Sequence, residues 1–499
     1  MQFNSQQFLI FFPIVLLIYF LLPRKARVVW LLIASYYFYM CWNVKYVLLL
    51  LSTTVVTWAG ALWIGNIRDK DPGNKQREKR ILIIVLLFNF GILALFKYAS
   101  FVAETVQLLL NAVRAPVSFP TIELLLPVGI SFYIFQAVGY IVDVYRGDIQ
   151  PESSLPRYAL FVSFFPQLVA GPIERSKNLL PQIQNLEHLE LWDFKRVQRG
   201  CLMMLYGFGM KLLIADRAAV IVDHIFNNYR FFSGGAFVLA ILLFAVQLYC
   251  DFAGYSNIAI GAAQIMGISL MTNFRAPYLA VSIRDLWHRW HISLSTWFRD
   301  YLYIPLGGSR KGKIKKYRNL LIIFTVSGLW HGAAWNYVLW GFMHGVFRVV
   351  GEITEPKQKE FRTRFPLGKS GRVWLHLRRW CTMGLFLFAL IAFRSHSTEQ
   401  MVFVYHEIFS APFSLAGLIT ESGLYFGIRN AEVLLLAILI VALYLVDVAT
   451  EKHIPFADWF EKQNWMFRAG FFLIGILVLL LFGVYGPEYA AGTFIYFQF

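Results

Sequence analysis

Two histidines three residues apart, His288 and His291, stand in the stretch LWHRWHISLSTWFRDYLYIPLGG (286–308), and a third, His331, stands in VSGLWHGAAWNYVLWG (326–341). Burial in an apolar setting disfavours imidazolium, and a neutral imidazole can take a proton from a hydroxyl near pH 7. An apolar run precedes His331, while Gly332, Ala333 and Ala334 follow it and leave room for a substrate. His331 therefore suits a general base and equally suits a core histidine hydrogen-bonded between helices. In the first stretch Trp287, Trp290, His291, Leu294 and Phe298 recur at spacings of three and four, which predicts one inward helical face. His288 falls to the side, nearer Arg284 and Asp285, and receives no role. An interfacial helix with a tryptophan belt and snorkelling arginines accounts for the Trp and Arg residues but not for His291 on the apolar face.

Other chemistries lack their residues. HRWH has no carboxylate or cysteine at metal-ligand spacing, so no metal is expected. GxSxG, P-loop and GxGxxG patterns do not occur, and GYSNIAIG (254–261) reads as small-residue helix packing. His188, His396, His406 and His453 lie in polar or interfacial stretches, and His376 lies among arginines; all five read as surface or juxtamembrane residues.

The elements that must carry these side chains belong to a membrane. The chain is 58% hydrophobic and only 15% charged, with a mean hydropathy of +0.56, against about 25% charge in an ordinary soluble domain. Apolar runs long enough to cross a bilayer recur near 8–22, 28–42, 47–65, 81–97, 124–142, 156–171, 200–214, 235–250, 255–271, 319–350, 381–394, 432–448 and 469–486. The reading is an all-α polytopic membrane protein of about 11–13 transmembrane or re-entrant helices, in a single domain spanning 1–499. The first run carries its positive residues (Arg24, Lys25, Arg27) after it rather than before it and reads as a retained span. The four cysteines are widely spaced and read as buried hydrophobes.

The net charge of +17 collects in short connectors, 68–80, 309–318 and 357–372. Such loops mark the cytosolic side and favour anionic headgroups; nucleic acid is not expected. From about 125 to 345 the apolar runs are broken by Pro, Gly and polar residues, which membrane proteins tolerate only around buried or cavity-lining backbone. That places a catalytic core there, with scaffold helices at 1–65 and 430–490. Gln136, Asp143, Gln167, Asp251, Asn257 and His331 are its polar candidates.

LPVGISFYIFQAVGYIVDVYRG (126–147), FFPQLVAGPIER (164–175), DFAGYSNIAIGAAQIMG (251–267), the segment 273–312, RNLLIIFTVSGLWHGAAWNYVLWG (318–341) and FIYFQF (494–499) together resemble the membrane-bound O-acyltransferase (MBOAT) family, in its alginate O-acetyltransferase-like (AlgI-like) branch. The resemblance is collinear over nearly the whole chain. It implies helices around a central tunnel and acyl transfer from a cytosolic thioester, with acetyl-CoA as donor, to a hydroxyl of an exported or cell-surface polysaccharide, directly or through an SGNH-type extracytoplasmic partner. No bound cofactor is implied. The bacterial inner membrane is the implied location. The resemblance assigns catalysis to His331 and a second role to His291. Trp287, Trp290, Trp330, Asn336, Asp251 and Gln136 are expected along the tunnel; Asn336 or His291 could polarise the carbonyl or orient the acceptor. Arg284, Arg289, Arg310 and Lys311 are expected to face the donor's phosphates. Where QLYCDFAGYSN has Cys250, an aromatic is the usual family residue. D-alanyl transfer to teichoic acid (DltB-like) and peptidoglycan O-acetylation stand as alternatives, and a transporter of acyl groups or solutes without covalent transfer is the reading from another class.

Overall fold

In a computed structural model, residues 1–115, 117–118, 124–169, 171–365, 372–410 and 428–485 are described; residue 170 of the second motif and the whole of FIYFQF lie outside them. The described residues form helices and no strand. Six helices among them are long and apolar enough to cross a membrane: Val44–Lys70, Lys75–Ala112, Gly234–Ile265, Arg372–Arg394, Asn430–Glu451 and Trp465–Phe482. The protein is thus a multi-pass all-α membrane protein. Several predicted runs are shorter or broken helices, such as Leu155–Ser163 followed by Phe165–Leu168. The two runs predicted at 235–250 and 255–271 are instead one helix, Gly234–Ile265. Asp251 does not interrupt it, because its carboxylate meets Lys211 Nζ at 2.6 Å and the same amine meets Asp216 at 2.8 Å. A compensated buried charge removes the reason to break an apolar helix.

The chain divides into two compact units, Met1–Met204 with Ile258–Met271, and Leu205–Asn257 with Thr272–Phe499. In the first unit, Gln136 and Gln167 both donate to the Phe161 carbonyl oxygen, and Ser176 donates to the Asp143 carboxylate at 2.6 Å. Arg27 reaches the carbonyls of Leu186 and Leu189. These polar groups hold broken segments in place, and the Phe161 carbonyl near the end of Leu155–Ser163 accepts from two side chains.

The second unit is organised by the helices Lys313–His331 and Trp335–Arg364, joined by three residues. They cross in direct backbone contact. A Cβ added at Gly341 would lie 2.2 Å from the Phe324 carbonyl oxygen and 2.9 Å from Gly328 Cα, so only glycine admits this approach. Near the start of the first helix Lys316 pairs with Glu352, which lies midway along the second helix and also pairs with Arg348.

Candidate active site

The predicted face of Trp287, Trp290 and His291 does not lie on one helix. The first short helix, Ile283–Arg289, ends at Trp290 in an extended conformation; His291 is left-handed (φ 43, ψ 54) and caps the next helix, Ile292–Phe298. A non-glycine residue in that region costs roughly 1–3 kcal/mol and persists only where its surroundings over-determine it. Here they do. Ile292 N–H donates to the Asn273 carbonyl at 2.9 Å and Arg275 N–H to the Arg289 carbonyl at 3.0 Å. The Asn273 side chain accepts from Ser293 N–H and donates to Ser256. Arg289 is gripped by Asp285 at 2.9 Å and by both carboxylate oxygens of Glu451, at 2.6 and 2.9 Å.

The break separates the two neighbours. Trp290 packs with Phe274 at 5.1 Å between ring centroids and with Phe386 at 5.5 Å. The fully buried His291 instead meets Phe252 at 4.6 Å, Trp330 at 6.0 Å and His331 at 6.5 Å. Asp251, next to Phe252, holds this part of its helix through Lys211. His331 ends its helix, and its ring lies against Trp330 at 4.9 Å, Trp340 at 5.0 Å and Phe393 at 5.6 Å. The structure thus brings His291, His331 and Trp330 together.

Other predicted residues sit elsewhere. Asn336 Nδ2 is engaged by the carbonyls of Ala392 and Ser395, where it fixes the start of its helix. Gln136 belongs to the first unit. Arg289 is held by carboxylates, as above. Arg310 and Lys311 lie in the exposed turn beside Ser309.

A cavity of about 360 Å³ opens in the second unit. Its mouth carries Arg284, His288, Arg299, Lys316, Arg348 and Glu352, and deeper in it is lined by Trp287, Ile292, Leu320, Ile323, Phe324 and Ser327. Lys316, Leu320, Ile323 and Ser327 follow one another by four, three and four residues, a single helical face. His331 is the next step of four along that face, roughly 22 Å from Lys316 at 1.5 Å per residue. The facing helix carries a second stripe at spacing four: Glu352, Arg348, His344, Trp340. Burial lowers the pKa of His288 below 6.5, and Arg284 and Arg348 add to the effect, so the mouth takes its charge from the arginines and Lys316.

His344 is the functional candidate that the sequence reading missed. It is fully buried, neither ring nitrogen has a hydrogen-bond partner, and it packs between Trp340 at 4.9 Å and Trp287 at 5.2 Å. The stripe of four was the available signal. Among the described residues, no group of three or more His, Cys, Asp or Glu could hold a metal ion.

Residues 146–391 match the membrane-bound O-acyltransferase family. The probable alginate O-acetylase AlgI of Pseudomonas putida is 41% identical over 363 residues, covering 72% of this chain and 73% of that protein. The peptidoglycan O-acetyltransferase of Helicobacter pylori is 34% identical over 394 residues, with 73% of each covered. The teichoic acid D-alanyltransferase of Streptococcus thermophilus is 31% identical over 243 residues, covering 46% of this chain and 58% of that protein.

Proposed function

The chain belongs to the membrane-bound O-acyltransferase family, and from that premise we propose that it moves acetyl groups from acetyl-CoA to hydroxyls of an exported or cell-surface polysaccharide, in the bacterial inner membrane, with an SGNH-type extracytoplasmic protein as partner. The observation that carries the reading is the stripe from Lys316 to Ser327, which lines a cavity with a cationic mouth and whose next position is His331, 6.5 Å from His291. Arg284, Lys316 and Arg348 would receive the donor's phosphates, since arginine forks match phosphate geometry and lysine supplies a point charge. Arg310 and Lys311 would add to the long-range attraction.

His331 takes the proton of the acceptor hydroxyl as its oxygen attacks the thioester carbonyl carbon. The C–S bond then breaks, the new C–O ester bond remains, and His331 returns the proton to the departing sulfur to give the free thiol. His291, rigidly placed by the helix break, orients the carbonyl or the acceptor. Similarity to the alginate O-acetylase favours alginate-like acceptors, and the peptidoglycan and teichoic acid relatives name the acceptors to set against them.

The test is transfer by the full chain in proteoliposomes given labelled acetyl-CoA, the SGNH-type partner and alginate, with peptidoglycan fragments in parallel. Label esterified to alginate, lost in His331→Ala, supports the reading. Label that reaches only peptidoglycan moves the acceptor. Label that crosses the bilayer without forming any ester makes the protein a transporter.

A further inference from the structure

We infer that Ser327 is a catalytic residue whose hydroxyl donates to the thioester carbonyl oxygen as negative charge develops there. The inference rests on the reading of the cavity as the donor site and adds the group that receives the reacting oxygen. Ser327 lines the cavity, roughly 16 Å along its helix from Lys316 at 1.5 Å per residue and one turn short of His331. A donor entering at the cationic mouth therefore reaches Ser327 before His331. Side chains four apart on a helix stand about 5–6 Å from one another at Cβ. That spacing leaves room for one reacting carbonyl between a hydrogen-bond donor and a base.

The hydroxyl is unspent and firmly placed. Buried helical hydroxyls can donate to the carbonyl one turn back, as Ser35, Ser163 and Ser395 do at 2.7 Å. On the cavity wall itself, Ser295 and Thr296 donate to the Trp290 and Ile292 carbonyls. Ser327 is buried, and among the described residues its hydroxyl has no hydrogen-bond partner. The turn that carries it is clamped from the adjacent face. A Cβ added at Gly328 would lie 2.2 Å from the Tyr337 carbonyl oxygen, and one at Gly332 would lie 2.2 Å from the Tyr337 ring. A donor fixed in advance beside an apolar cavity needs no reorganisation when charge appears, which is what stabilises an oxyanion. A nucleophilic serine instead needs a base bonded to its hydroxyl, and Ser327 has none. As the acceptor oxygen adds to the carbonyl carbon, the C=O electron pair moves onto oxygen and Ser327 donates to it. When the C–S bond breaks the pair returns, and Ser327 keeps its own proton throughout. His291 is then left to the acceptor.

The experiment is single-turnover transfer from labelled acetyl-CoA by the full chain in proteoliposomes, to whichever of alginate or peptidoglycan fragments the wild type esterifies. It compares wild type with Ser327→Ala, Ser327→Thr and Ser327→Cys, and measures in parallel the binding of S-ethyl-CoA, a thioether with no carbonyl oxygen. Thermal unfolding of each form identifies which variants are folded. Ser327→Ala is expected to lower the rate about 10²–10³-fold and to bind S-ethyl-CoA as wild type does. Ser327→Thr, which keeps a hydroxyl, recovers a large part of the loss. Affinity for S-ethyl-CoA that falls in step with the rate makes Ser327 a packing residue and overturns the inference. So does a wild-type rate in folded Ser327→Ala, or an acetyl ester found on Ser327 itself by mass spectrometry. Ser327→Cys keeps the shape with a weaker donor; its slower transfer answers the question if Ser327→Ala does not fold. If wild type takes no acetyl group from acetyl-CoA, the donor reading itself fails, a result distinct from wild-type transfer that Ser327→Ala leaves unchanged.

Discussion

The mouth of the cavity and the ring cluster beyond it both draw on the helices Lys313–His331 and Trp335–Arg364, by opposite means. At the mouth, Lys316, Arg348 and Glu352 form ion pairs on partly exposed side chains. A few turns inward, the same stripes continue as Phe324 and Ser327 on one helix and His344 and Trp340 on the other, with rings packed edge to face. Charge works at the mouth because water and salt reach it, and exposed pairs are worth little to stability. Packing works inside because a neutral ring keeps its position without a counter-ion. Recognition and chemistry are therefore separable along one pair of helices, by depth.

That contrast can be broken at several points. The largest effect belongs to the ring cluster. His331→Ala is expected to lower transfer about 10²–10⁴-fold with little change in donor affinity, measured as single-turnover esterification. A comparable fall in donor affinity instead would erase the separation. Next comes the helix crossing, on which both regions depend. Gly341→Ala forces a methyl group against the Phe324 carbonyl, and should cost roughly 1–3 kcal/mol and lower the unfolding temperature in detergent while weakening binding and turnover together.

At the mouth, Arg348→Gln is expected to raise the donor KM about 10-fold or more with kcat held, as the loss of a charge-assisted hydrogen bond of ~1.5–3 kcal/mol implies. The salt dependence of KM should flatten with it, which kinetics at graded ionic strength would reveal. The smallest effect is that of His288. Its folded-state pKa lies below 6.5, so the unfolded chain binds more protons in that range, and the neutral ring's contribution to stability is present at pH 7 and lost as pH falls below about 6.5. His288→Gln should remove that part of the acid-side slope.

Much of the membrane architecture was legible in composition and run length, because burying a helix in lipid demands a continuous apolar stretch that little else produces. The histidine centre was legible only in part. Spacing alone made 287–298 one helix, yet the chain breaks at Trp290–His291, because Asn273 and Glu451 hold that bend and neither is a sequence neighbour. For the same reason Arg289 read as a donor contact while its guanidinium is engaged by two carboxylates. His344 escaped notice inside an ordinary-looking apolar helix; what distinguishes it is the facing wall of rings, which spacing on its own helix reveals only once a partner stripe is known.

The bidentate grip of Glu451 on Arg289 also bears on how short a working enzyme can be. Both histidines lie within 146–391, the segment that matches the family, but the carboxylate that steadies the bend before His291 comes from the helix Asn430–Glu451. A chain trimmed to the family segment would keep both histidines but lose Phe393, which packs on the His331 ring, together with a restraint on the geometry of His291. The minimal functional unit therefore extends at least through Glu451, and separately expressed halves would have to reassemble that ion pair to recover the site.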